Sequence, residues 1–148
     1  MAIRPIVKMG DDLLRMKSKP VTEFDERLGI LLDDMRETML KNNGVGIAAP
    51  QVGILKRACI VSVDGKTFYE LINPIVVKAS GRQVGPEGCL SVPGINGDVE
   101  RPKKLIVDGV DRKGLPVRFK VSDYEAVAFC HEMDHLDGVL FIDKMLRG

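Results

Sequence analysis

An α+β fold is what this sequence predicts: antiparallel β-strands packed around one buried helix, with an N-terminal amphipathic helix ahead of them. Three observations carry the prediction. Leu28, Leu31, Leu32, Met35 and Met39 recur at spacings of three and four, which places one apolar stripe on a helix of four to five turns. The middle of the chain alternates short β-branched runs with the turn signals Asp64-Gly65 and Asp111-Arg112-Lys113-Gly114, the pattern of antiparallel hairpins. Towards the end, Ala126-Val127-Ala128-Phe129-Cys130 is apolar nearly all round, as a buried helix must be. The order helix, strands, helix is segregated and lacks the alternation of a parallel β-α-β sheet.

Each element has its own signal. Asp11-Asp12-Leu13-Leu14-Arg15 after Gly10 predicts a short helical turn that Pro20 ends. Thr22 is the expected cap of the amphipathic helix, and Asn42-Asn43-Gly44 its stop. Strands are expected over 58–63 and 67–72, joined by Asp64-Gly65, with Pro74 limiting the next to a strand start or edge over 75–78. A further pair is expected over 105–110 and 117–121. Ser122, followed three residues later by Glu125, predicts a capping box for the buried helix, and Gly138 its C′ residue.

The 148 residues suit a single domain, 1–148, with one sizeable core, and the 45% apolar content is that of a globular chain. Net charge is +1 from 22 basic and 21 acidic side chains, a balance that argues against a nucleic-acid or membrane-surface partner. The run Met1-Ala2-Ile3-Arg4-Pro5 lacks the apolar region of a signal peptide, so a cytoplasmic location is expected. In that reducing setting the three cysteines, Cys59, Cys89 and Cys130, read as thiols or metal ligands before they read as a disulfide framework.

The chemistry concentrates in His131-Glu132-Met133-Asp134-His135. Two histidines four residues apart on a helix lie about 40° apart around the axis, one turn from each other. Both can reach one metal ion, and Glu132 stands beside them as a carboxylate able to hold a water on it. Two core histidines satisfied by backbone is the plainer alternative. The chain has only two histidines and both fall in this pentapeptide, which favours the metal reading. A catalytic ion usually takes three protein ligands and keeps one open position. Cys89, in Pro86-Glu87-Gly88-Cys89-Leu90-Ser91, is the candidate third, with a partnerless loop thiol as the alternative that spacing leaves open. Cys59, in a strand, reads as a small core residue. Cys130 points about 100° away from His131 on the helix. Gly44 to Gly53 is rich in small residues, with Gln51 its one polar side chain. It lacks the Gly-Lys-Ser/Thr ending of a phosphate loop, so nucleotide binding is rejected.

Three stretches together resemble the three motifs of the peptide deformylase family: Gly44-Val45-Gly46-Ile47-Ala48-Ala49-Pro50-Gln51, Glu87-Gly88-Cys89-Leu90-Ser91, and His131-Glu132-Met133-Asp134-His135-Leu136-Asp137-Gly138. They occur in the family's order, and the resemblance covers nearly the whole chain. It implies a metal-dependent hydrolase that removes the formyl group from the N-terminal formyl-methionine of newly made proteins and releases formate. It implies Cys89, His131 and His135 as ligands of one divalent metal ion, usually ferrous iron (Fe2+), with zinc, nickel or cobalt (Zn2+, Ni2+, Co2+) able to occupy the site. It implies Glu132 as general base and acid, the Gln51 side-chain amide and the Leu90 backbone N–H as donors to the oxyanion, and Val45, Gly46, Gly88 and Val127 as substrate-binding positions. Partners implied are N-formyl-Met nascent peptides and transient ribosome proximity, with no direct nucleic-acid contact and no membrane. Asp134 is expected behind the site or at the helix end. Many members continue into a long C-terminal helix after the position of Ile142, which this sequence, ending at Gly148, does not contain. Cys130 stands where many members have Gln, a second thiol beside the site that is expected to raise its sensitivity to oxidation.

Two rivals remain at this level. A metalloprotease cutting internal peptide bonds shares the His-Glu-x-x-His pattern but has no need of the Gln51 and Cys89 motifs. A binding module with a purely structural metal would close the site with four protein ligands, and would leave Glu132 and Gln51 without a purpose.

Overall fold

A computed structural model describes residues 2–147. A 3-10 turn at Asp12–Arg15 is capped by the Asp11 side chain, which accepts from the Leu13 N–H. Helix α1 spans Glu26–Lys41. Seven strands follow: β1 Gly46–Ala48, β2 Ala58–Val61, β3 Tyr69–Ser80, β4 Gln83–Cys89, β5 Val92–Arg101, β6 Lys104–Val110 and β7 Pro116–Ser122. Helix α2 spans Asp123–Leu136, and a last 3-10 turn covers Phe141–Lys144. The strands form a five-stranded antiparallel sheet in the order β1-β2-β3-β6-β7 and a separate hairpin, β4-β5. No helix among the described residues is long and apolar enough to cross a membrane.

The two helices lie against opposite faces of the large sheet, and β2 is the layer between them. Successive strand residues point to opposite faces. Accordingly Ala58 and Ile60 join the cluster around α1, with Leu28, Leu32, Met35 and Met39. Cys59 and Val61 join the cluster around α2, with Ala126 and Phe129. Burial on both faces is why Ala-Cys-Ile-Val carries no polar residue. Cys59 is the small core residue expected of it, with no exposure. Tyr69, Phe119 and Phe129 meet edge to face on the α2 side, an arrangement that adds to their burial. A third, smaller cluster of Leu14, Val92, Val99, Leu140 and Phe141 holds the β4-β5 hairpin to the rest.

Several expectations need correction. Asp25, not Thr22, caps α1, its carboxylate accepting from the Leu28 N–H. At α2 Ser122 takes the N-cap position but its side chain makes no capping bond, so the capping box does not form. Asp123, the first helical residue, has φ +56, and the chain's turn into the helix there leaves the box unmade. The strands expected over 67–72 and 75–78 are not two: residues 69–72 and 75–78 are parts of β3, whose ladder with β6 breaks between Ile72 and Ile75, and 67–68 lie in the loop before it. This bulge takes Asn73 and Pro74 out of the ladder, where a proline is tolerated. The Asn73 side chain pairs instead with the Val21 backbone N–H and C=O. Asp64-Gly65 lies in a loop longer than a tight hairpin, in which Asp64 accepts from the Lys66 and Thr67 N–H groups. The β4-β5 hairpin was not expected at all. Gly138 follows α2 as predicted, at φ +74, and a side chain there would run into the Arg15 carbonyl.

Candidate active site

The cleft is made where three separately folded pieces meet: the strand β1 with the 3-10 turn after it, the tip of the β4-β5 hairpin, and the middle of α2. Cys89 ends β4 and pairs with Val92, so that Leu90 and Ser91 are a two-residue hairpin turn. Cys89 is therefore anchored on a strand, which removes the alternative of a free loop thiol. Its Sγ, with a ring nitrogen from each of His131 and His135, forms a group whose ligand atoms all lie within 4.8 Å of one another. Cys89 Sγ is 3.3 Å from His135 Nε2. Two ligands of one tetrahedral ion, at about 2.3 Å for sulfur and 2.0 Å for nitrogen, stand about 3.5 Å apart. One thiolate and two imidazoles is a donor set for a borderline transition-metal ion. The residues present thus fit a metal ion.

The surroundings are charged and largely buried. Glu132 is 3% exposed, and its Oε1 has no hydrogen-bond partner among the protein's groups. Burial pushes its pKa up to about 7, against the pull of His131, so the carboxyl can both take and return a proton near neutrality. Gly46 makes room for it: a Cβ there would fall 2.5 Å from Glu132 Oε2, so only glycine permits this approach. His131 Nδ1 lies 2.9 Å from Glu87 Oε1. With the protein's own groups alone, burial opposes charging His131, but Glu132, Cys89 and Glu87 overcome it and hold the ring protonated, near 10. Burial, with the charges of His131 and Arg101, pushes His135 down to about 3. The cluster favours one positive charge between these groups, and a metal cation would supply it in place of the proton.

Gln51 is buried, at 1% exposure, and so is not a solvated turn amide. Its Oε1 accepts from the Ala48 N–H at 2.9 Å, and its Nε2 donates to Ser91 Oγ at 3.2 Å and faces Cys89 Sγ at 3.6 Å. The amide's orientation is therefore set, with its NH2 towards the cluster. The cleft encloses about 360 Å³, and its walls include Val45, Gly46, Gln51, Gly88, Cys89, Leu90, Val127, His131 and Glu132. Every ligand, catalytic or substrate position named from the sequence lies on this wall except His135, which is buried behind it at 1% exposure. The open edge of β1, which pairs with β2 on one side only, borders the cleft. Tyr124 and Ala128 also line it. Their helical spacing from Val127 and His131 was the available signal.

The sequence reading missed one buried residue. Arg101, at the end of β5, is 4% exposed. It donates from Nε and Nη2 to Glu87 at 2.8 and 2.9 Å, and from Nη1 to Asp134 Oδ2 at 2.7 Å. Burial alone would raise the Glu87 carboxyl, but hydrogen bonds from Arg101 and His131 outweigh it and hold the pKa at about 2. Asp134 is behind the site, as expected. Cys130 is half-buried and stands outside the ligand group. Burial pushes its thiol up to about 11, which leaves little of the reactive thiolate at neutral pH and argues against the oxidation sensitivity expected from adjacency.

Comparison with known proteins places the chain among peptide deformylases. The family model described as polypeptide deformylase matches residues 3–147. The peptide deformylase of Caldanaerobacter subterraneus subsp. tengcongensis is 53% identical over 147 residues, covering 99% of this chain and 92% of that protein. Peptide deformylase 1 of Clostridium acetobutylicum is 51% identical over 148 residues, covering 100% of this chain and 98% of the relative. The crystal structure of the Thermotoga maritima peptide deformylase superposes with a TM-score of 0.96 at 40% identity, covering 99% of this chain and all of that one.

Proposed function

Because the chain belongs to the polypeptide deformylase family, we propose that residues 1–148 form one catalytic domain that hydrolyses the formyl amide of N-formyl-methionyl peptides and releases formate. The observation that carries this reading is the meeting of Glu132, Gln51 and the Cys89–His131–His135 group on one cleft. In it α2 is the metal helix and α1 the amphipathic helix that covers the other sheet face. Cys89, His131 and His135 hold the ion, with ferrous iron favoured over zinc, nickel or cobalt. When bound, that ion acidifies a water and polarises the formyl carbonyl.

The chain's own groups do the rest. Glu132 takes the proton of the attacking water and passes it to the amine as the C–N bond breaks. Its pKa of about 7 suits both transfers. As the carbonyl oxygen gains charge, the Gln51 NH2 and the Leu90 backbone N–H donate to it. Losing one such donor costs about 3 kcal/mol of transition-state stabilisation. Val45, Gly46 and Val127 receive the methionine side chain, and the backbone at Gly46 and Gly88 pairs with the extended peptide as an added strand. Nascent chains in the cytoplasm, close to the ribosome, are the substrate.

Formate release from a formyl-Met tripeptide tests this. Protein prepared without air and loaded with ferrous iron or nickel should release formate from it and leave the unformylated tripeptide intact. A folded, fully metallated protein that releases none would sink the reading, and cleavage of the unformylated peptide would turn it into a protease.

A further inference from the structure

We propose that Arg101 is a positioning residue whose guanidinium ties the segments carrying Cys89, His131 and His135 into one unit, so that metal retention depends on it. The inference rests on the reading of those three residues as metal ligands, and goes beyond it.

The three ligands come from two separately built parts of the fold. Cys89 belongs to the β4-β5 hairpin, which shares no ladder with the five-stranded sheet. His131 and His135 belong to α2, which packs on that sheet. Apolar contact among Leu14, Val92, Val99, Leu140 and Phe141 helps hold the hairpin in place, but such contact is non-directional. A ligand set requires direction. Arg101 supplies it from β5. Two of its nitrogens grip both oxygens of Glu87, two residues before Cys89 on β4. The same Glu87 holds His131 Nδ1. The third nitrogen holds Asp134, the residue before His135. One planar group therefore reaches the carrier of every ligand.

Stability alone is a poor reason for this arrangement. Burying one arginine with two carboxylates costs desolvation that an apolar trio would avoid. The planar fork also explains why lysine would not serve: it has no rigid pair of donors to match Glu87. The molecule contains its own control. Arg112 likewise grips one carboxylate with two nitrogens, Glu70, and a second carboxylate, Asp33, with Nη2. That cluster links α1, β3 and the β6-β7 loop, and includes neither a ligand nor a residue bonded to one.

The experiment measures Co2+ affinity by chelator competition, together with the visible spectrum of the cobalt-loaded protein, for the parent, R101K, D134N and R112K. Unfolding temperatures of the metal-free proteins are recorded alongside. D134N leaves the Arg101–Glu87 pair intact, so it decides the matter if R101K does not fold. The expected result is a 10–100-fold loss of Co2+ affinity in R101K and D134N, with shifted cobalt bands, and unchanged affinity and bands in R112K. Parent-like affinity and bands in R101K or D134N, or an equal loss in R112K, would overturn the proposal, as would a parent that binds no Co2+. A parent that binds Co2+ but releases no formate with iron or nickel would remove the deformylase reading and leave this one standing or falling on the titration.

Discussion

Helices α1 and α2 lie on opposite faces of one sheet and differ in how their buried polar groups are satisfied. On α1 the buried set is mostly apolar, Leu28, Leu32, Met35 and Met39, and its two buried polar residues are paired with the N-terminal segment: Asp34 accepts from the Ala2 N–H and the Arg4 side chain, and Thr38 from the Arg4 N–H. On α2 the buried set itself includes His131, Glu132 and His135. The first helix stays in place mainly by area removed from water, with its few buried polar groups already paired. The second holds groups that would be costly in the same position unless paired or ligated. Stability and chemistry are thus divided between the two faces, and substitutions should separate them.

The widest separation is expected at Glu132. Glu132→Gln keeps the shape and removes the proton acceptor, so formate release should fall by about 10²–10⁴-fold while thermal unfolding stays near the parent's. A drop of less than tenfold would reassign the base. On the other helix Met35→Ala should do the reverse. Met35 has no exposure, and opening a cavity there should cost about 2–5 kcal/mol in urea unfolding, with activity per folded molecule within about twofold of the parent. Equal losses of stability and turnover would show that the α1 face also governs the cleft.

Acid should act through the α2 side. Glu87 has a pKa of about 2 in the folded protein against 4.5 ordinarily. A depressed carboxylate contributes stability that is complete above about pH 4.5 and is lost as pH falls towards 2. At about 1.4 kcal/mol per unit this is on the order of 3 kcal/mol. Urea midpoints across that window should slope steeply in the parent and less so in Glu87→Gln; equal slopes would place the acid sensitivity elsewhere. The smallest effect belongs to the wet side of α1. Ile30 is 49% exposed, and Ile30→Lys should change unfolding free energy by no more than about 0.5 kcal/mol. A larger loss would mean that α1 has a partner on its outer side.

The same division explains what could be read in advance. The α1 stripe, β2 and α2 were legible because burial writes a period into the sequence: three and four for one helix, an unbroken apolar run for a strand covered on both sides. The β4-β5 hairpin had no such signal. Gly85, Gly88, Gly94 and Gly97, with Pro86 and Pro93, give those strands a poor intrinsic preference for extended pairing. They form because Val92 and Val99 find a cluster and because each strand completes the other's ladder. Arg101 was hidden for a related reason. An arginine in a strand reads as a solvent-facing residue, and only the approach of Glu87 and Asp134 from 14 and 33 residues away makes it a buried one.

By itself the sequence determined the reactive groups and their local order: two histidines one helical turn apart with a carboxylate between them, a cysteine, and a single glutamine among small residues. Spacing along a helix is a local property, so it survives any arrangement of the rest. Tertiary structure alone decided that Cys89 stands 3.3 Å from His135, that Gln51 turns its NH2 towards them, that Glu132 fits against the bare backbone of Gly46, and that Arg101 joins the ligand carriers. These are meetings between residues tens of positions apart. They exist only once apolar burial has closed the chain and, by excluding water, has made each charged contact strong enough to hold its direction.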